Sequence, residues 1–338
     1  ESSHDRTLFH SVESRGFIHL TQRTHTNQLA IVIATMDRPA QLRSVLTSIE
    51  GQSARPQQVI VVDGGDESVD GIIEDFPSLN IDYISLHPPG LTKQKNAGVS
   101  AASSDMDLIG FVDDDMVFED GAMKAMLDFW EAAPADMGGA SFNLPDFENK
   151  MSWLKSMPQR LFFIDNRKFG QVHRSGFNTP IWNAADDTLV QWLGGGYTVW
   201  RKQVFERWQF DEWFAGSGVW EDVRFSHQVG REFSLSVVAG AKATHVDAPV
   251  TIDRQIRLGK TQIVNWMYFV NSDPDLSTLM CTWACLGRTA TNLTKGVARL
   301  DRGYLLRGLG NILGLLSSGL GAAGSRRRDR VSHTQPRS

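Results

Sequence analysis

The chain has 338 residues, of which 41% are hydrophobic and 22% charged, with a formal net charge of −5. This is the balance of a globular protein with a sizeable core, and it excludes the overall basic surplus that would point to nucleic acid as a partner. Cys281 and Cys285 are the two cysteines. They stand four apart, as on one helix face, with no C-x-x-C pair and no disulfide framework, which fits a reducing compartment.

No run approaches the ~18 apolar residues of a spanning helix, and residues 1–28 carry no signal-peptide core. These observations point to a cytoplasmic protein. The chain begins at Glu1 rather than Met, which leaves open what precedes it.

Residues 1–28 read as an N-terminal extension. From Leu29 the apolar runs LAIVIA (29–34), QVIVV (58–62), IDYISL (81–86) and LIGFV (108–112) have the near-continuous hydrophobicity of parallel strands buried on both faces. Amphipathic segments separate them. The first begins near Arg38-Pro39, and its Leu42, Val45, Leu46 and Ile49 recur at helical spacing. Such βαβ units predict an α/β fold with a Rossmann-like, mostly parallel twisted sheet flanked by helices. Ligands then bind at the carboxyl ends of the strands, which places Asp37, Asp63 and Asp113 to Asp115 on one edge. Residues 145–215 are less regular, and six of the ten tryptophans fall between Trp182 and Trp220. A helical region is expected over 251–324, followed by a disordered basic tail over 325–338.

Several stretches bear chemistry. In FVDDDM (111–116) three carboxylates end an apolar run. Strand alternation sends Asp113 and Asp115 to one side, where they can share a hard cation, and Asp114 to the other. Asp63, followed by Gly64 and Gly65, can accept the N3–H of uracil or thymine, or simply organise a turn. GLTKQKNAG (90–98) opens a helix with Lys93, Lys95 and Asn96 in its first turns. It suits a diphosphate at a helix N-terminus, or a solvated face. Neither the P-loop nor the G-x-G-x-x-G spacing is present, which disfavours a kinase or a dehydrogenase.

Further on, Gly195 and Gly196 in WLGGGYTVWRKQVF (192–205) suggest a backbone approached by a bulky ligand, or a bulge. In GVWEDVRFSHQVG (218–230), Asp222 heads the helical face that Phe225 and Val229 continue, and so can reach a site beneath. Glu221 and Asp222 equally suit a helix dipole. His245 ends a β-like run, either as a structural histidine or as a third ligand beside the two carboxylates.

In this order, from about Leu29 to Tyr268, these stretches resemble the family 2 glycosyltransferases, inverting enzymes of the GT-A fold. The resemblance implies a catalytic domain over 29–250, with a nucleotide-binding half (29–144) and an acceptor-binding half (145–250). It implies that Thr35, Asp37, Asp63 and Lys95 line the nucleotide with Asp113 near the ribose. Their neighbours Arg38, Lys93, Asn96 and Asp114 join the nucleotide candidates. Asp115, with Asp113 and His245, would hold Mn(II) or Mg(II). Asp222 would be the general base, with Glu221 beside it as the lesser candidate. Trp182, Trp192 and Trp220 are candidates for stacking on an acceptor sugar, beside Gly195 and Gly196.

Two departures stand out. Lysine occupies position 95, where the family usually has arginine, and a point charge replaces a planar fork. The Q-x-x-R-W signature of processive synthases is missing, and residues 254–270 occupy its region, so single-sugar transfer is expected.

The partners expected are therefore a nucleotide-sugar donor, UDP- or dTDP-linked from Asp63, and a glycan or lipid-linked glycan acceptor of bacterial polysaccharide assembly. Leu305, Leu309, Ile312, Leu313, Leu316 and Leu320 form an apolar stripe near Arg302, Arg307 and Arg326 to Arg328. Through residues 303–328 this stripe would contact the cytoplasmic face of the inner membrane, or pack on the protein itself or on a second subunit. The rival reading is a carbohydrate-binding scaffold that keeps the shell without turnover. Competent residues at every metal and base position argue against it.

Overall fold

The computed structural model describes residues 27–146, 159–164, 168–214, 216, 218–246 and 251–332. The N-terminal extension, to residue 26, lies outside them. The four apolar runs form parallel strands β1 (Leu29–Thr35), β2 (Gln58–Asp63), β3 (Ile81–Ser85) and β4 (Leu108–Asp113), in the order β3-β2-β1-β4. Their register sets Thr35 opposite Asp63, and Ala34 opposite Asp113. The polar ends of three strands therefore form one row at the carboxyl edge.

Alternation distributes the apolar side chains to two layers. Leu29, Ile31 and Ile33 face helix α1 (Pro39–Glu50), whose Leu42, Val45, Leu46 and Ile49 are fully buried. Proline at the first helical position, where no backbone N–H is needed, starts that helix. Removing one such leucine, as in Leu46→Ala, costs about 2–5 kcal/mol. Val32 and Ile60, on the other side, belong to a second core with Phe111, Trp200 and Phe225. Helix α3 (Leu91–Ala101) covers part of that face, after a single turn α2 (Asp70–Ile73) on the way from β2.

Beyond β4 the sheet is mixed. A turn at Asp114 and Asp115 leads into β5 (Met116–Phe118), followed by α4 (Ala122–Ala132), β6 (Met137–Asn143), β7 (Thr188–Val190) and β8 (Tyr197–Arg201). β8 pairs antiparallel with both β4 and β6. Helix α5 (Glu221–Val229) precedes the long β9 (Ser234–His245), which runs parallel to β6 and antiparallel to β5 and β7. Among the described residues the sheet has nine strands, and the expected parallel pattern holds for its first four. The pairing of β5 with β9 sets Met116 opposite His245, which carries the histidine to the acidic turn.

The C-terminal region is helical as expected: α6 (Gln255–Asn271), α7 (Thr278–Arg299) and α8 (Arg302–Ser332). Ser277 caps α7 by accepting the Met280 N–H. Ile263, Trp266, Phe269 and Val270 of α6 pack with Trp192, Phe214 and Trp220 in a third core that binds these helices to the segments around β8 and α5. Cys281 and Cys285 lie in the same core as buried free thiols.

Helix α8 turns its small residues inward. Gly308, Gly310 and Gly314 are buried, a Cβ at Gly310 would collide with Ile256, and Asn311 donates to the Gly259 carbonyl and accepts from Asn292. The leucine stripe faces out, with Leu309 49% and Leu316 60% exposed and Ile312 and Leu313 between them also exposed. Leu305 is half-buried against Gly296, and the side chain of Leu320 lies outside the described residues. Of the expected tail, 325–332 continues α8 instead. Residues 333–338 lie outside the described residues.

Candidate active site

The acidic turn is built as an ion-pair network. Asp114 is buried and accepts from Thr35 Oγ1 at 2.8 Å and from Arg38 Nη1 at 2.5 Å. Arg38 also donates to Asp115 Oδ2 at 3.0 Å. His245 Nε2 lies 3.1 Å from Asp115 Oδ1. Burial alone would raise the Asp115 pKa, but His245 and Arg38 outweigh it and hold the carboxyl below its usual range. Asp113 and Asp114 are raised, chiefly by burial, against the pull of Lys95 on the first and of Thr35 and Arg38 on the second.

One ligand atom each from Asp113, Asp115 and His245 falls within 4.8 Å of the other two. Two carboxylates and an imidazole converging in a partly buried site suit a divalent cation such as Mn(II) or Mg(II). As strand alternation implies, Asp113 and Asp115 serve one side while Asp114 turns away to Thr35 and Arg38.

Across the cavity, Glu221 and Asp222 open α5. Trp220 precedes them in a left-handed conformation (φ 77°), its ring stacked on Trp266 at 4.9 Å. Lys95 Nζ donates to Glu221 Oε1 at 2.6 Å and to the Gly195 carbonyl at 3.0 Å. Burial pushes Glu221 up to about 7, with Lys95 opposing the rise. Asp222 is less buried and forms no ion pair among the described residues: its Oδ2 accepts from Gly195 N at 3.1 Å and its Oδ1 from Val223 N at 2.8 Å. Burial raises its pKa against the pull of Lys95, which makes it a better proton acceptor near neutral pH than an ordinary aspartate.

The glycines before β8 answer to these charged groups. A Cβ at Gly195 would stand 2.8 Å from both Glu221 Oε1 and Lys95 Nζ, and one at Gly196 would collide with the Asp113 carboxylate. The close approach is made by the site's own side chains, where the sequence suggested a bulky ligand.

Between the cation cluster and Asp222 lies a cavity of about 440 Å³, within the range of small-molecule sites. Lys95, Asp113, Glu221, Asp222 and His245 line its polar side, while Trp182, Trp192, Trp220 and Trp266 supply aromatic walls. Trp192 is held by its Nε1–H on the Thr179 carbonyl, and Trp220 already stacks on Trp266. Trp182 is the half-buried one of the expected three, beside Tyr197.

Other expected residues are engaged elsewhere. Asp63 is 1% exposed, and its carboxylate accepts from Gly65 N, Val69 N and Tyr83 Oη. It organises the turn after β2, so the inference of a uracil or thymine base from this side chain loses its footing. Asp37, also left-handed (φ 55°), accepts from Asp66 N. Asn96 exchanges hydrogen bonds with the Phe210 backbone and donates to Glu212, which ties down a loop. Lys93 lies half-buried beside Gly90 at the helix start, outside the cavity lining, and Lys95 bonds Glu221 instead of projecting from a solvated face.

The sequence reading missed Gln262, Trp266 and Arg288, which wall the cavity from α6 and α7. A signal was present for Arg288. It continues the buried stripe of Cys281, Ala284, Cys285 and Asn292, where a lone charge is out of place.

Residues 30–190 match the family model described as Glycosyl transferase family 2. The chain is 32% identical over 155 residues to the uncharacterized glycosyltransferase YwdF of Bacillus subtilis, covering 44% of this chain. It is 26% identical over 180 residues, half of this chain, to a glucosyl-dolichyl phosphate glucuronosyltransferase of Haloferax volcanii. In each case the match spans 56% of the relative's length. A mannosyltransferase from Pyrobaculum calidifontis, solved in complex with GDP-Man and Mn2+, superposes with a TM-score of 0.55 at 13% identity, over 87% of this chain and 88% of that one. That likeness shows a shared fold.

Proposed function

We propose that this chain, a family 2 glycosyltransferase of the GT-A fold, moves a single sugar from a nucleotide-sugar donor to a hydroxyl of a glycan or lipid-linked glycan, with inversion. The observation that carries the reading is one cavity that joins the Asp113–Asp115–His245 cluster to Asp222. A divalent cation held by those three residues would neutralise charge on the departing diphosphate.

Asp222 takes the proton of the acceptor hydroxyl, with the Gly195 N–H fixing the orientation of its carboxylate. The hydroxyl oxygen then attacks the anomeric carbon from the face opposite the nucleotide, which inverts the configuration. Lys95 neutralises Glu221 next to the base, so that two adjacent carboxylates can share one site. Arg38 holds Asp114 and Asp115 in place from the strand edge.

The outward stripe of α8 suits a membrane interface on the cytoplasmic face, and the name of the Haloferax relative, with its lipid-phosphate acceptor, supports a lipid-linked acceptor. No described helix is long and apolar enough to cross a membrane. Packing of the same stripe on a second copy is the competing outcome.

Calorimetric titration of UDP, dTDP and GDP, each with and without Mn(II), tests the reading. Metal-dependent binding of one of them is expected and names the donor class to screen for transfer. Binding of none under either condition would overturn it.

A further inference from the structure

Arg288 stands out among the groups that line the cavity. Its Nε is fully buried and has no hydrogen-bond partner, and the side chain makes no ion pair with any described residue. Burial disfavours its charged form, and another cation, Arg307, repels it. A buried guanidinium without a counter-ion is costly, and proteins normally pair or solvate such a group. Lys95, the other lysine or arginine lining the cavity, is already spent on Glu221. Arg288 therefore brings to the space where substrate must enter a positive charge with no counter-ion among the described residues and an Nε–H without an acceptor.

Its position indicates which substrate. Arg288 comes from α7, and Gln262 and Trp266, which also line the cavity, come from the neighbouring α6, whereas Asp113 and His245 come from the sheet edge. Resting on the transferase reading above, we propose that Arg288 is the anion-recognition residue of the acceptor subsite, and that the acceptor carries a phosphate or carboxylate. The planar fork of arginine matches both groups with paired hydrogen bonds. A neutral glycan would leave the charge buried and unpaired, so the enzyme rejects it. Specificity then comes from the penalty on the wrong acceptor as much as from attraction to the right one.

The test uses the full chain in EDTA, which excludes contact between phosphate and a cation at Asp115. Tryptophan fluorescence, sensitive through the cavity tryptophans, follows titration with glucose 1-phosphate, glucuronate and glucose. A charge-assisted pair predicts that one or both anionic probes bind at least about tenfold tighter than glucose. Preference for the first locates a phosphate, and preference for the second a carboxylate. R288M should abolish the preference, and R288K should keep part of it.

Two controls accompany the titration. The melting temperature of R288M should equal or exceed that of the unmodified chain, and nucleotide affinity with Mn(II) should be unchanged. An unmodified chain that binds all three probes alike, a preference that survives R288M, a lowered melting temperature or a parallel loss of nucleotide affinity would each overturn the proposal. Because nucleotide binding is read separately, loss of the anion preference alone leaves the transferase reading standing.

Discussion

Lys95 and Glu221, 126 positions apart in the chain, meet at 2.6 Å with each side chain only 3% exposed. The pair fastens the helix after β3 to the helix that carries the proposed base, and the Gly195 carbonyl takes a further hydrogen bond from the lysine. Such a pair is costly to break because either partner left alone is a buried, uncompensated charge.

K95M should destabilise the protein by about 3–5 kcal/mol by leaving the Glu221 carboxyl buried without its counter-ion, whereas K95M/E221M should recover most of that loss. Urea denaturation of the two variants checks this. A double variant no more stable than K95M would show that the two residues do not act as a pair.

Asp222→Asn should lower transfer by roughly 10²–10⁴-fold while nucleotide affinity stays unchanged. The rate should rise with pH as Asp222 loses its proton, with a midpoint above the ordinary aspartate range because burial raises that pKa. A pH–rate profile of kcat/KM reads the midpoint. A full rate in the variant would dismiss Asp222 as base.

Glu221 carries a separate pH signature. Its pKa is raised by burial to about 7 from an ordinary 4.5, so the folded state binds more protons than the unfolded state between those values. This group's contribution to stability is therefore greatest below the ordinary value and declines as pH rises through 7. Melting temperatures across that window should show the decline, and E221Q should flatten it.

Asp115→Ala and His245→Ala should each remove the gain in nucleotide affinity that Mn(II) provides, leaving weak metal-independent binding. Calorimetry with and without the ion distinguishes this from a structural role. Identical titrations in the variants and the unmodified chain would exclude these residues as ligands.

Leu309→Asp with Leu313→Asp should abolish co-sedimentation with anionic liposomes without lowering the melting temperature, since both side chains are exposed. Unchanged pelleting would exclude the stripe as the membrane contact. A shift in oligomeric state on sizing would assign it to a second copy.

Local pattern was enough to determine the first four strands, the helix from Pro39, the helical C-terminal region and the pairing of Asp113 with Asp115, because periods of 2 and 3.6 follow directly from backbone geometry. Residue type and order likewise marked Asp222 and His245 as candidates. What Asp63 and Asn96 bond, and that Lys95 is consumed by Glu221, depended on neighbours from distant segments, about which a one-dimensional pattern says nothing. The same holds for Gly196, which is glycine because Asp113 leans on it, and for the leucines of α8, which face out because the glycines opposite pack more closely on α6. Arg288 is the sharpest case. The sequence shows a charge on a buried helical stripe, but only the tertiary structure decides whether an acid meets it, and here the stripe opens onto the cavity with no acid paired to it among the described residues.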